Sequence, residues 1–454
     1  MGVLFIPRNL SDIKSNLKQG PDSEFIYALT PELFTAESLK ALTEHSSKVA
    51  GVVVLDSKNG TRPVSMSPAS TCPNHISGLY AKNDQYKDYC PVMKHWNPEG
   101  NEFLFHNFQF PMFVVDDEVD IKAIKKCFAS HNLGLLSHEM IWPLCSLRLK
   151  ANMIGTTNTE VCRRRSLLSQ YSLKPLDFCS PIADYNILAP LNPISEKLEN
   201  SSVILVVART DAASMFDNVS PGANSATTGL VTLMAVADAL SSTAVKQSLK
   251  DANRHVVFLM LEGETWDYIG SNAMAYKMNN KSFPFIPATD QEDHISNIDF
   301  SHINHFIELS QLGLQKTSAT KAYMHTDPIS SSDPSINDMN KLFQEAMMKS
   351  GEKFDVTMVP PTSDDIPLPP ASLQTFLKYY NISGTVITDN PLQYRNNFYQ
   401  SIWDDHINVG LVADMDGVLP GDELHKHLTK IASTVATAVF NVATGGLCFY
   451  FFYS

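Results

Sequence analysis

Four carboxylates sit at or beside the ends of apolar runs: Asp211 after Val203–Val207, Glu262 and Glu264 after His255–Leu261, and Glu308 inside His305–Leu309. Runs of this kind read as buried strands, and open α/β sheets carry their ligand-binding groups on loops beyond the strands' carboxyl ends. A carboxylate placed there is a candidate for general acid or base work, or for holding a metal ion. Arg209 precedes Asp211 by two positions, and its fixed charge opposes a cation at the same point. The residues alone therefore favour Glu264 as half of a structural ion pair with Arg209, because an unpaired buried charge is costly and a guanidinium suits bidentate pairing.

Three segments resemble the zinc aminopeptidase superfamily. They are Arg209 Thr210 Asp211, then Pro221 Gly222 Ala223 Asn224 Ser225 Ala226, then Glu262 Gly263 Glu264 Thr265 with Gly270 Ser271. Such enzymes clamp a reacting carbonyl between two metals about 3.5–4 Å apart. The resemblance implies that Arg209 stands where a His ligand belongs, Ser225 at the bridging Asp, and Thr265 at the Glu ligand beside the base-like Glu264. It sets Glu308 at a later Asp, and Tyr399 or Gln400 at the last His. Most of the ligand set is gone, so the expectation is no metal, no cofactor and no peptidase activity. The Arg209 guanidinium is expected to fill the vacated space and pair with Glu264, Asp211 or Glu308.

The elements that must position these residues follow a βα alternation from about residue 183, the pattern of a mostly parallel sheet flanked by helices. Strands are expected at Val203–Val207, His255–Leu261, His305–Leu309 and Thr385–Thr388, and helices at Thr265–Met278, Ile336–Lys349 and Glu423–Val442. A further helix carries Leu230, Leu233, Met234, Ala237 and Leu240 at helical spacing; Leu424, Leu428, Ile431, Val435, Val439 and Val442 form a core stripe on the last one. Before that boundary, a smaller α/β layer is expected, with strands Phe25–Leu29, Val49–Leu55 and Phe103–Val115 and helices Pro31–His45 and Ile121–Ser130. Residues 57–101 are turn-rich loop. The expected domains are 1–182, a small disulfide-rich lobe, and 183–454, a larger aminopeptidase-like lobe.

The chain has 454 residues, 44% of them hydrophobic, enough for a large core, and a formal net charge of -13 that opposes nucleic acid and anionic lipid as partners. Arg163, Arg164 and Arg165 form a basic run that reads as a solvated face. Six of seven cysteines, at 72, 90, 127, 145, 162 and 179, fall at near-equal spacing, as three local loops would; their connectivity stays open at this level. Cysteines so placed, with sequons at Asn9, Asn59, Asn200, Asn218, Asn280 and Asn381, point to an oxidising secretory compartment. Met1–Gly20 offers no signal-peptide core, and the apolar end Leu447–Tyr453 with Cys448 is too short to span a bilayer, so both ends read as truncated or mis-spliced.

The run Glu262 Gly263 Glu264 Thr265 Trp266 Asp267 Tyr268 Ile269 Gly270 Ser271 is similar to the signature of the nicastrin family. Asn218–Ala223, His325–Pro328, Pro367–Pro370 with Ser372–Gln374, Asn381–Gly384 and Tyr399–Ile402 continue the resemblance. It implies sequential pairing, Cys72 to Cys90, Cys127 to Cys145 and Cys162 to Cys179. It further implies a glycosylated type I membrane protein whose ectodomain faces the lumen or cell exterior. The implied partners are presenilin and the two small membrane subunits of γ-secretase, and the implied role is admitting substrates such as Notch and amyloid precursor stubs. Glu264, Thr265, Asp267, Tyr268, Arg209, Asp211, Ser225 and Glu308 become a degenerate pocket for substrate recognition. Trp96, an aromatic in a polar loop, is a lid candidate over the second domain, with packing inside its own small domain as the alternative. The other readings are an active secreted or lysosomal zinc aminopeptidase, and a nicalin-like scaffold of the endoplasmic reticulum.

Overall fold

The computed structural model describes residues 1–57, 60–137, 145–150, 158–172, 179, 182–194, 198–216, 219–284, 296–313, 319–363, 365–411 and 422–445. Asn59, Asn218 and the segment 447–453 with Cys448 lie outside them. The chain forms two compact units, one of Met1–Pro68, Asn101–Ile182 and Met215–Val219, the other of Ala69–Gly100, Ala183–Ser214 and Ser220–Ser454.

The first unit contains β1 (Gly2–Phe5), α1 (Leu10–Gln19), β2 (Phe25–Leu29), α2 (Ala36–Glu44), β3 (Val49–Leu55), β4 (Met112–Val115), α3 (Glu118–His131), β5 (Ser146–Leu147) and α4 (Thr159–Ser169). Its sheet runs β4-β3-β2-β1-β5, with β5 alone antiparallel. Every residue of β2 is buried, which is why it reads as a continuous apolar run rather than an alternating one. Asn9, Thr35, Asp117 and Asn158 each accept a backbone N–H at the start of a helix, satisfying donors the helix cannot. Thr35 restricts α2 to Ala36–Glu44, later than expected, and Pro31–Leu33 forms a separate 3₁₀ turn. Only Met112–Val115 of the expected strand Phe103–Val115 is strand. Phe103, Phe108 and Phe110 instead pack in series, with ring centroids 5.5 and 5.6 Å apart, so that the aromatic run forms a cluster and not a pleat.

The second unit contains β6 (Ile187–Pro190), β7 (Val203–Arg209), α5 (Thr228–Leu240), α6 (Thr243–Asp251), β8 (His255–Leu261), α7 (Ile269–Asn279), β9 (Ile303–Leu309), β10 (Thr320–His325), α8 (Pro334–Lys353), β11 (Val356–Val359), α9 (Leu373–Leu377), β12 (Gly384–Thr388) and α10 (Asp422–Thr444). Its sheet runs β11-β10-β12-β9-β7-β8-β6. The central strands β12, β9, β7 and β8 are parallel, in a register that pairs Val206 with both Phe258 and Ile307. One face is covered by α5, α8 and α10 through Leu233, Phe343, Val435 and Phe440. The other is covered by α7 and α9 through Met274 and Phe376, and by Tyr80 and Tyr86 from the segment Ala69–Gly100. This mixed α/β architecture, with its mostly parallel sheet between helices and a smaller α/β unit, is the expected fold class.

The three disulfides are Cys72–Cys90, Cys127–Cys145 and Cys162–Cys179, each with Cα atoms 5.8 Å apart, the pairing implied by the resemblance. Two details differ from expectation. On α5 the buried stripe is Gly229, Thr232, Leu233, Val236 and Leu240, while Met234 is exposed. α7 starts at Ile269 rather than Thr265, because Asp267 and Tyr268 adopt φ of 57° and 60°, in the left-handed region. Among the described residues no single helix is long and apolar enough to cross a membrane.

α5 meets the sheet at Gly229, where an added Cβ would lie 2.4 Å from the Leu309 carbonyl oxygen and 2.6 Å from that of Ser310. Helix propensity alone favours Gly229→Ala by about 1 kcal/mol. Both obstacles are backbone, so the substitution is expected to destabilise the chain by about 1–3 kcal/mol; chemical denaturation of the variant checks this.

Candidate functional site

Arg209 ends β7 at the carboxyl edge of the sheet and is only 4% exposed. Its Nη1 donates to the Tyr399 hydroxyl at 3.1 Å, and the Tyr399 ring packs on Tyr394 with centroids 4.8 Å apart. Among the described residues no ion pair joins Arg209 to a carboxylate. The expected direct pairing with Glu264, Asp211 or Glu308 is therefore corrected: the guanidinium is buried as anticipated, but its contact is a phenol, and the carboxylates feel its charge through space. The physical reason is that each carboxylate is already engaged by backbone.

Asp211 accepts the backbone N–H groups of Glu264 and Thr265 at 2.9 and 2.8 Å, which folds the loop after β8 into the tight turn carrying Asp267 and Tyr268. Glu308 accepts those of Ser372 and Leu373, both at 2.9 Å, where α9 begins. Glu264, 0% exposed, accepts the Ser271 N–H at 2.7 Å and the Ser372 hydroxyl at 2.6 Å. Ser225 stands where the resemblance sets the bridging carboxylate; its N–H and that of Asn224 donate to Asp404 at 2.9 and 3.0 Å. Gln400 accepts from the Ala213 N–H and donates to the Thr265 hydroxyl at 3.3 Å, tying two loops together. Thr265 and Tyr268 are buried, whereas Asp267 faces solvent.

These donors do not fit a pair of metal ions. The His position carries a permanent cation, the bridging position a neutral hydroxyl, and Glu264 and Glu308 have both oxygens committed to hydrogen bonds within their own unit. Burial pushes the Glu264 carboxyl from its ordinary 4.5 up to about 7, against Ser372, Ser271 and the Arg209 charge, which favour ionisation. Desolvation raises Glu308 likewise, with the Ser372 and Leu373 N–H groups opposing it.

The segment Ala69–Gly100 covers this edge of its own unit. Asn74 donates to the Glu264 carbonyl at 2.7 Å, Tyr80 to the Asp327 carboxylate at 2.5 Å, and Lys378 to the Ser77 carbonyl. Trp96 is buried in a cluster with Ala69, Cys90, Tyr394 and Tyr399, and its carbonyl accepts the Tyr394 N–H at 2.8 Å, so it packs beyond its own segment. A shallow cleft opens beside it, lined by residues that include Asn74, His75, Tyr89, Pro367 and Gln374. None of Arg209, Asp211, Ser225, Glu264, Thr265, Asp267, Tyr268 or Glu308 lines this cleft. Apart from exposed Asp267, these residues form a packed interior, and this cleft lies outside them. Of the sequons, Asn9, Asn200, Asn280 and Asn381 are exposed.

Sequence reasoning missed Asp404, Asn74 and Tyr394, and named Ser372 only within the resemblance, without its role. The Ser372 hydroxyl directly after Pro369 Pro370 Ala371, and the doublet Asp404 Asp405 beside the fully buried Trp403, were the only local signals available.

A family model described as the nicastrin large lobe matches residues 202–440, and one for the nicastrin small lobe matches residues 1–155. Nicastrin of Mus musculus is 33% identical over 459 residues, covering 98% of this chain and 61% of its own length; that of Homo sapiens is 32% identical over 460 residues with the same coverage. The chain therefore spans about three fifths of the length of these curated relatives. A solved structure titled as the gamma-secretase component nicastrin superposes with a TM-score of 0.68 at 25% identity, covering 98% of this chain and 70% of that one.

The raised Glu264 value has a signed consequence for stability. Folded chains retain a proton that unfolded chains release from pH 4.5 upward, so the stabilisation is full below pH 4.5 and is lost as pH rises through about 7. The shift corresponds to about 3 kcal/mol. Glu264→Gln, which keeps a neutral acceptor for the Ser271 N–H, should remove that part of the pH dependence. Denaturant titrations of both chains at pH 4.5 and 8 are expected to agree most closely at pH 4.5, with the unsubstituted chain falling below the variant at pH 8; parallel profiles would show that Glu264 does not titrate in this range.

Proposed function

The chain belongs to the nicastrin family, and on that premise we propose that it is a non-catalytic subunit of a γ-secretase complex. In this role it contributes to substrate admission and complex assembly on the luminal or extracellular side of the membrane. One observation carries the non-catalytic half of the proposal: a buried Arg209 charge beside Glu264 and Glu308, in the position that a metal-dependent peptidase would reserve for its cations. A base-like Glu264 without a metal-bound water has nothing to activate. The proposed partners are presenilin and the two small membrane subunits, and the proposed clients are type I membrane stubs such as those of Notch and amyloid precursor protein. Exposed Asn9, Asn200, Asn280 and Asn381 support glycosylation in the secretory route, as do the three disulfides.

The site shapes how recognition would work. Glu264, with both oxygens engaged and no exposed surface, supports its own unit and is out of reach of a substrate amino terminus in this conformation. Contact falls instead to the segment Ala69–Gly100 and the cleft beside it, with Trp96 as the anchor of a cover over the edge of its own unit. Asp267 is the exposed member of the signature run.

The test is to express the protein in cells lacking their own nicastrin. Co-purification of presenilin and the small subunits, with restored cleavage of a Notch stub, is the expected outcome. Absence of these partners, or zinc-dependent release of amino-terminal residues from peptides by the purified protein, would overturn the proposal.

A further inference from the structure

Asn381 and Ser383 belong to one sequon, yet they stand in opposite environments. Asn381 is exposed, whereas Ile382 and Ser383 are only 4% and 6% exposed at the entry to β12. The Ser383 hydroxyl donates to Asn340 Oδ1 on α8 at 2.7 Å and lies 2.6 Å from Nδ1 of His305 on β9. Its carbonyl accepts the Phe306 N–H at 3.0 Å, and the His305 ring is stacked on Phe343 with centroids 3.7 Å apart. Every one of these partners precedes Ser383 in the chain. The other described sequons differ. At Asn9 and Asn280 the hydroxyl residues, Ser11 and Ser282, are exposed. At Asn200 the hydroxyl residue Ser202 is fully buried; its carbonyl accepts the His255 N–H at 2.9 Å, and Ser201 donates to the Ser301 carbonyl at 2.9 Å. Those two partners come later in the chain, so this sequon stays open until they have been made.

From this arrangement we infer that Asn381 is a glycosylation site contested by folding, an inference that rests on the secretory reading given above. An oligosaccharyltransferase must engage both the asparagine and the hydroxyl two residues on. In the transfer, Asn381 Nδ2 forms a bond to the anomeric carbon of a lipid-pyrophosphate-linked oligosaccharide. The bond from that carbon to the pyrophosphate oxygen breaks, the amide releases one proton, and the lipid pyrophosphate leaves. Once Ser383 has docked between His305 and Asn340, its hydroxyl is out of reach although Asn381 still faces solvent. Docking can begin as soon as Ser383 is made, because the residues of β9 and α8 are already present. Exposure of the asparagine therefore does not decide occupancy at this site. Burial of the serine does.

The test incubates the whole chain, made without glycans, folded and oxidised, with purified oligosaccharyltransferase and a lipid-pyrophosphate-linked oligosaccharide, and reads each site by mass spectrometry. Asn9 and Asn280 should be modified. Asn381 should react more slowly than in a peptide of residues 377–387, by about tenfold or more, because access requires a core strand to open. In cells that direct the chain into the secretory route, Asn381 should be partly occupied. Asn340→Ala, which removes the acceptor of the Ser383 hydroxyl, should raise occupancy at Asn381 and leave Asn9 unchanged. The folded-chain measurement needs no variant and stands even if Asn340→Ala misfolds. Modification of Asn381 as fast in the folded chain as in the peptide would overturn the inference, as would complete occupancy in cells or an occupancy unmoved by Asn340→Ala. Four bare sequons in the cell-made chain would overturn the secretory reading instead, while the folded-chain rates still decide whether folding closes Asn381.

Discussion

A guanidinium charge buried at the carboxyl edge of a parallel sheet is the constraint around which the larger unit is arranged. Burial alone would weaken the charged form of Arg209, yet the fields of Tyr399, Asp211 and Tyr394 outweigh it and hold the proton more firmly than in water. An isolated charge in such a place would cost several kcal/mol. The surrounding residues offset that cost without forming a contact ion pair: one phenol accepts directly, and the nearby carboxylates act through space.

The acidic side chains at this edge serve as staples for backbone. Asp211 gathers the turn after β8, Glu308 the start of α9, Asp404 the turn before α5, and Glu264 the first turn of α7. Each satisfies N–H groups that a loop or helix start would otherwise bury unpaired. The positions that resemble a peptidase's ligand shell thus still converge, but on amides instead of cations. Charge-assisted bonds of this kind are about twice as strong as neutral ones.

Much of the larger sheet was legible because its central strands are buried on both faces and read as short apolar runs; His255–Leu261 coincides with β8, and Val203–Val207 falls short of β7 by only its last two residues. Strands β6, β10 and β11, short and partly exposed at or near the edges, carry too little apolar pattern to stand out. Phe103–Val115 misled for the opposite reason, since aromatic residues favour strands and clusters alike. At the site, Arg209, Ser225 and Thr265 were visible as residue types. The partner of Arg209 was not, because Tyr399 lies 190 positions away and only the folded chain sets it against the end of β7. The start of α7 was displaced by a tertiary bond from Asp211 that no local propensity encodes.

The central claim is that the buried Arg209 charge closes this edge of the sheet to cations. Isothermal titration of zinc into the purified chain at neutral pH tests it most directly. The account predicts no saturable heat and no stoichiometric zinc after dialysis. Tight binding at one or two ions per chain, abolished by Glu264→Gln or Glu308→Gln, would contradict it.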